Sequence, residues 1–297
     1  MIECLGFDSN ARLLIINADD FGLSPAANAA IIDLFRSSAI TSASIMMPCP
    51  SAREAAKLCR SCPQASTGIH LTLTSTEQVE CRPVFRRFRL DSLTTEEGLL
   101  PRDALAVERE ADPDQVKLEL EAQIRLALAM GIDPTHLDSH AGTVLGLRTG
   151  RDFLEVVFEL CEKYGLPFLL PTRAVQQPYF TLEQRELFRK RIESARRRGI
   201  MLIDDLIALP YELEADETYE RFKSAMIRAI SNAGPGVTQI VIHPAAAGAG
   251  RAAMPHAAKR AMEYRLFLDP EFKRLFEREQ IKLISWRQVR DLQRSLR

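Results

Sequence analysis

The chain predicts an α/β fold: a single (β/α) barrel of the TIM type, tolerant of irregularity, with a long loop inserted after the third strand. Three observations carry that expectation. Short apolar runs alternate with amphipathic helical segments along most of the 297 residues, about eight times over. Acidic and histidine side chains recur late in those runs, where α/β folds place their chemistry. No internal repeat or polar linker divides the chain, so residues 1–297 are expected to form one domain. An open doubly wound sheet is the alternative arrangement of the same elements.

The first run, Leu13-Leu14-Ile15-Ile16, reads as a buried strand ending in Asn17-Ala18-Asp19-Asp20-Phe21-Gly22. Gly22 permits a sharp turn, Ser24 is placed to cap a helix over 25–37, and Pro25 suits its first turn. A second strand over 42–47 and a helix over 51–60 follow. The third strand, 66–73, alternates Ile69, Leu71 and Leu73 with His70, Thr72 and Thr74. A face carrying a histidine and two threonines points to a site rather than to packing. Periodicity then fails over 75–110, a length typical of active-site loops. Its basic, aromatic stretch from Arg82 to Arg89 suits a sugar- or anion-binding flap, or a surface loop whose aromatics pack locally.

Asp112 and Pro113 open a helix reaching residue 130. The fourth strand, 135–140, sets His136, Asp138 and His140 on one side. A helix over 152–164 leads to a fifth strand at 166–170. The arginine-rich helix over 183–198 also holds Glu183, Glu186 and Glu193, so it reads as a solvated amphipathic helix. A sixth strand at 200–204, a helix over 218–231 and a seventh strand at 237–243 come next. Pro244 stops that strand and leaves His243 at its carboxyl end. The Ala/Gly-rich segment 245–255 reads as mobile. A helix over 270–279, an eighth strand at 281–285 and a helix to Arg297 complete the series.

The formal net charge of −1 argues against a nucleic-acid partner, and no apolar run reaches membrane-spanning length. Residues 1–8 carry early acids and no apolar core, unlike a secretory leader. Six cysteines in so long a chain do not form a disulfide framework. Cys59 and Cys62 make a C-x-x-C with no second pair, at the end of a helix rather than at its start. A cytoplasmic location is expected. Oligomeric state is left open, a homodimer included.

Of five histidines, His70, His140 and His243 lie late in predicted strands, as does the Asp19-Asp20 pair. Taken singly, each histidine reads as structural rather than ligating. Closing the sheet into a barrel would bring all of them to one rim. Adjacent carboxylates repel, and a cation or a shared proton relieves that repulsion. One carboxylate with two imidazoles forms an open three-ligand metal site that leaves room for water.

Three segments, Asn17-Ala18-Asp19-Asp20-Phe21-Gly22-Leu23-Ser24, Gly68-Ile69-His70-Leu71-Thr72-Leu73-Thr74 and Pro134-Thr135-His136-Leu137-Asp138-Ser139-His140, resemble the signatures of the YdjC family of carbohydrate deacetylases. That family includes chitooligosaccharide deacetylases and hopanoid-biosynthesis-associated homologues. The resemblance extends from about Arg12 to the C-terminus, including Arg82-Pro83 and His243-Pro244. It implies a (β/α) barrel using one divalent cation, zinc or magnesium, to remove the N-acetyl group of an amino sugar or short oligosaccharide. By motif position Asp20, His70 and His140 would hold the cation, Asp19 would be the general base and His243 the general acid. Asp138 and His136 would orient a ligand imidazole, Arg173 would help bind substrate or hold the base ionised, and Arg82 would bind substrate or support the groups that do. Where the chitooligosaccharide enzymes carry further histidines after the third motif, this chain reads Ala141-Gly142-Thr143-Val144-Leu145-Gly146, which leaves the sugar open. The rival readings are a barrel metallohydrolase for another amide or a phosphoester, and a sugar-binding homologue without turnover.

Overall fold

The computed structural model describes residues 1–176, 180–246 and 256–297. The segment read as mobile lies, from residue 247 onward, outside the described residues. The elements are β1 (Arg12–Phe21), α1 (Pro25–Arg36), β2 (Ser42–Ile45), α2 (Ala52–Arg60), β3 (Thr67–Leu71), α3 (Ala104–Glu110), α4 (Pro113–Ala129), β4 (Leu137–Ser139) and α5 (Leu154–Tyr164). The second half adds α6 (Leu182–Arg197), β5 (Asp205–Ile207), α7 (Tyr219–Ser231), β6 (Gly236–Ile242), α8 (Ala257–Leu268), α9 (Pro270–Arg278), β7 (Lys282–Leu283) and α10 (Trp286–Ser295).

The strands form one parallel sheet in the order β4-β3-β2-β1-β6-β5, with β7 pairing the start of β1. It curls into a barrel-like α/β architecture. Strand β1 is central, and its two faces differ. Leu14, Ile16 and Ala18 pack into the large core beneath the helices. Leu13 and Ile15 join Ile203, Val237, Ile284 and Trp286 in a second, inner cluster. Period-two alternation continues the inner face to Asn17 and Asp19, so the apolar plug gives way to polar groups toward the carboxyl end. The Trp286 ring stacks on His136 at 4.7 Å, and its Nε1 donates to Gln239 at 2.6 Å.

The stretches expected as fifth and sixth strands are extended but not regular. Leu137 bridges Phe168, Phe168 N donates to Met201 O, and Asp204 N donates to Val237 O. These contacts carry the chain from β4 round toward β6 without a full ladder. Pro167 lacks an N–H, and the Asp204 carboxylate takes the Val237 N–H that a ladder would use. Regular pairing begins only at Asp205. The long segment after β3 contains α3, capped by Asp103, which breaks the expected unstructured run.

Candidate active site

Strand alternation would send Asp19 and Asp20 to opposite faces. The register of β1 against β2 shifts between Ala18 and Phe21, and Asp20 adopts a left-handed φ of 64°. That irregularity turns both carboxylates toward one side. The next turn is held by Asn28, whose Oδ1 accepts the Gly22 N–H at 2.7 Å, and the Ser24 hydroxyl caps α1. His70 arrives from the inner face of β3. Asp138 arrives from that of β4, His136 stands just before that strand, and His140 follows it directly. A left-handed residue, Ala141 at φ 50°, then reverses the chain.

These side chains converge. His70 Nδ1 meets Asp138 Oδ1 at 2.9 Å, and its Nε2 lies 3.8 Å from both Asp19 Oδ2 and Asp20 Oδ1. His140 Nδ1 is 3.6 Å from Asp20 Oδ1, and His243 Nε2 is 4.0 Å from Asp19 Oδ2. Asn17 Nδ2 donates to Asp19 Oδ1 at 2.7 Å, and Ser44 Oγ lies 3.3 Å from the same oxygen. Asp20, His70 and His140 offer ligand atoms within 4.8 Å of one another; Asp19, His70 and Asp138 form an overlapping set. The buried Asp20 Oδ1 has no hydrogen-bond partner. An orphaned carboxylate oxygen beside two imidazoles is what a cation would satisfy, so the residues fit a divalent metal.

Crowded burial explains the electrostatics. Burial, together with Asp138 and Asp20, pushes Asp19 up to about 8 against the attraction of His70. Burial would depress His70, but Asp138 and Asp19 outweigh it and raise it to about 10. Burial opposes ionisation of Asp20, yet Arg260, His140 and His243 hold it well below the usual carboxylate range. His243, desolvated, is pushed down to about 3 despite Asp20.

His136 sits beneath the cluster with Nε2 3.7 Å from Asp138 Oδ2. Arg82 is exposed and donates to the Glu97 carbonyl at 2.8 Å, bracing the long loop rather than touching the carboxylates. Arg173 corrects the expectation placed on it. Its Nη2 donates to the Pro235 carbonyl at 2.7 Å, just before β6, whereas His243 follows the end of that strand. A strand of that length separates its two ends by roughly 20 Å, so the guanidinium does not reach the site.

Three groups at the site, Arg260, Tyr211 and Glu263, were not anticipated. Arg260 of α8 donates Nη2 to Asp20 Oδ2 at 2.5 Å and Nη1 to the His243 carbonyl at 3.2 Å. Its Nη2 also contacts the Tyr211 hydroxyl. The Tyr211 ring packs edge-on against His243 at 4.7 Å and His256 at 4.3 Å. Glu263, one turn on from Arg260, accepts the His243 backbone N–H at 2.6 Å. Arg260 and Asp20 are 240 positions apart, and nothing local marks either as a partner of the other.

An acid–histidine cluster at the carboxyl ends of parallel strands defines a barrel-like α/β protein with a constellation able to hold a cation. The comparisons place it further: residues 13–278 match the model of the YdjC-like proteins, and the chain belongs to that family. It is 28% identical to a carbohydrate deacetylase of Thermoanaerobacter pseudethanolicus, over 79% of this chain and 81% of that one. It is 36% identical to a chitooligosaccharide deacetylase of Citrobacter koseri, over 43% of this chain and 49% of the relative. A crystal structure from Enterococcus faecalis, described as a cellobiose-phosphate cleavage protein, superposes with a TM-score of 0.74 at 25% identity. That superposition covers 94% of this chain and 99% of the other.

Proposed function

We propose that the protein is a metal-dependent carbohydrate N-deacetylase, hydrolysing the N-acetyl group of an amino sugar or short oligosaccharide in the cytoplasm. The relatives named as carbohydrate deacetylases support the reaction class. The observation that carries the metal is the unpartnered Asp20 Oδ1 facing His70 and His140. Those three residues would hold one divalent cation, zinc or magnesium, which supplies Lewis-acid polarisation of a water and of the acetamide carbonyl.

The remaining roles fall to the chain's own groups. Asn17 and Ser44 engage one oxygen of Asp19, leaving Oδ2 turned into the cluster as general base. His243 stands across from that oxygen and would protonate the departing amine. Asp138, bound to His70 Nδ1, sets that ring so that Nε2 faces the ligand position. Six free cysteines fit the reducing setting.

The deciding experiment is acetate release from N,N′-diacetylchitobiose and a panel of other N-acetyl sugars, with chelator and with added zinc or magnesium. Release that stops with chelator and returns with metal is expected. Asp20→Ala and His140→Ala should lose metal binding and turnover together; full activity in metal-free Asp20→Ala would overturn the mechanism.

A further inference from the structure

Tyr211 lies on the 208–217 segment after β5, and neither the motifs nor the roles above use it. Its hydroxyl oxygen accepts from Arg260 Nη2, the same nitrogen that holds Asp20 Oδ2. The phenol oxygen is therefore fixed beside the carboxylate whose other oxygen faces His70 and His140. Because that hydrogen bond uses the oxygen as acceptor, the phenolic proton is directed elsewhere. No protein acceptor for it occurs among the described residues. The ring packs against both His243 and His256, and with the Arg260 contact this fixes where the hydroxyl stands. A hydroxyl that accepts from a guanidinium is polarised into a stronger donor.

Resting on the deacetylase reading, we propose that Tyr211 is a further catalytic residue, whose hydroxyl donates a hydrogen bond to the substrate's acetamide oxygen as negative charge develops there. Arg260 is its positioning residue: one guanidinium orients the phenol, the Asp20 carboxylate and the His243 backbone. Removing one such donor typically costs about 10²–10³-fold in turnover.

The test is Tyr211→Phe, which keeps the ring and both histidine contacts and removes only the hydroxyl. Acetate release from N,N′-diacetylchitobiose is compared with wild type, alongside zinc binding to the apo-protein by calorimetry and thermal melting. The expected result is a kcat about 100-fold lower with KM within threefold, and unchanged zinc affinity and melting temperature. A kcat within twofold of wild type overturns the proposal. So does a loss of activity matched by an equal loss of zinc affinity, which would make the hydroxyl a support for Asp20. Absence of acetate release by the wild type across the N-acetyl sugar panel would instead overturn the deacetylase reading on which the proposal rests.

Discussion

Asp138 shows how much of the site depends on a residue that need not touch a cation. It is fully buried between two histidines, and its Oδ1 bond to His70 Nδ1 fixes which ring nitrogen faces the carboxylate pair. Asp138→Asn keeps the shape but cannot accept from His70 as strongly, and zinc affinity should fall by about 10–100-fold by calorimetry. His243→Ala separates the roles further. With His243 as proton donor alone, turnover should fall by about 10²–10⁴-fold while zinc affinity holds. Of these groups, those placed by period-two alternation were legible in the sequence: His70, His136, Asp138 and His140 share inner faces because strands alternate. The meeting of Asp19 and Asp20 at one rim was expected too, but the bulge and the left-handed Asp20 that turn both carboxylates to one side were not legible. Gly68 is a third case. A Cβ there would sit 2.3 Å from His136 Nδ1, so only glycine lets β3 and β4 close over that ring.

The long loop is tied to β3 by a chain of buried amides and one carboxylate. Gln123 of α4 donates to Thr72 O and to Glu119 Oε1, while its own oxygen accepts from Thr72 N. Glu119 in turn accepts the Val84 and Phe85 backbone N–H groups, each at 2.9 Å. Glu119→Ala strands those donors, and unfolding free energy should drop by about 1–3 kcal/mol in denaturant titration. Burial, against the pull of those donors, raises Glu119 from 4.5 to about 7. Between those values the folded chain keeps a proton that the unfolded chain has released. This residue's contribution to stability therefore declines as pH rises from 4.5 through about 7. Glu119→Gln should flatten that part of the stability–pH curve; an unchanged slope would show that the carboxylate ionises freely. The aromatics of the loop pack on each other, Phe85 against Phe88 at 4.9 Å, although Phe88 stays 58% exposed. At this scale the sequence was less legible. Helix α8 escaped notice because Lys259, Arg260 and Glu263 face inward, blurring the apolar stripe that marks an amphipathic helix.

The barrel-like shape depends on Trp286, where the last helix meets the inner cluster. Its backbone N donates to Ser42 Oγ at 3.0 Å, its indole to Gln239, and its ring covers His136. One residue thus touches β2 and β6, which flank β1, and the residue before β4, while the irregular 166–173 and 200–204 stretches link β4 to β6 only by scattered hydrogen bonds. The sequence conveyed the α/β repeat but not this closure, since both stretches look like strands until Pro167 and Asp204 take ladder bonds away. Two substitutions separate packing from hydrogen bonding. Trp286→Ala opens a cavity in the inner cluster and should cost about 3–5 kcal/mol. Trp286→Phe retains an aromatic over His136 but removes the donor to Gln239 Oε1. Gln239 Nε2 already lacks a partner, so the phenylalanine variant leaves the buried amide unsatisfied at both ends, a loss of about 1–3 kcal/mol. Denaturant unfolding should therefore rank wild type above Trp286→Phe, and Trp286→Ala last. If Trp286→Phe matched wild type, the stack on His136 alone would hold the inner cluster. If it fell to the level of Trp286→Ala, the indole–amide hydrogen bond would be the contact that joins the two halves of the sheet.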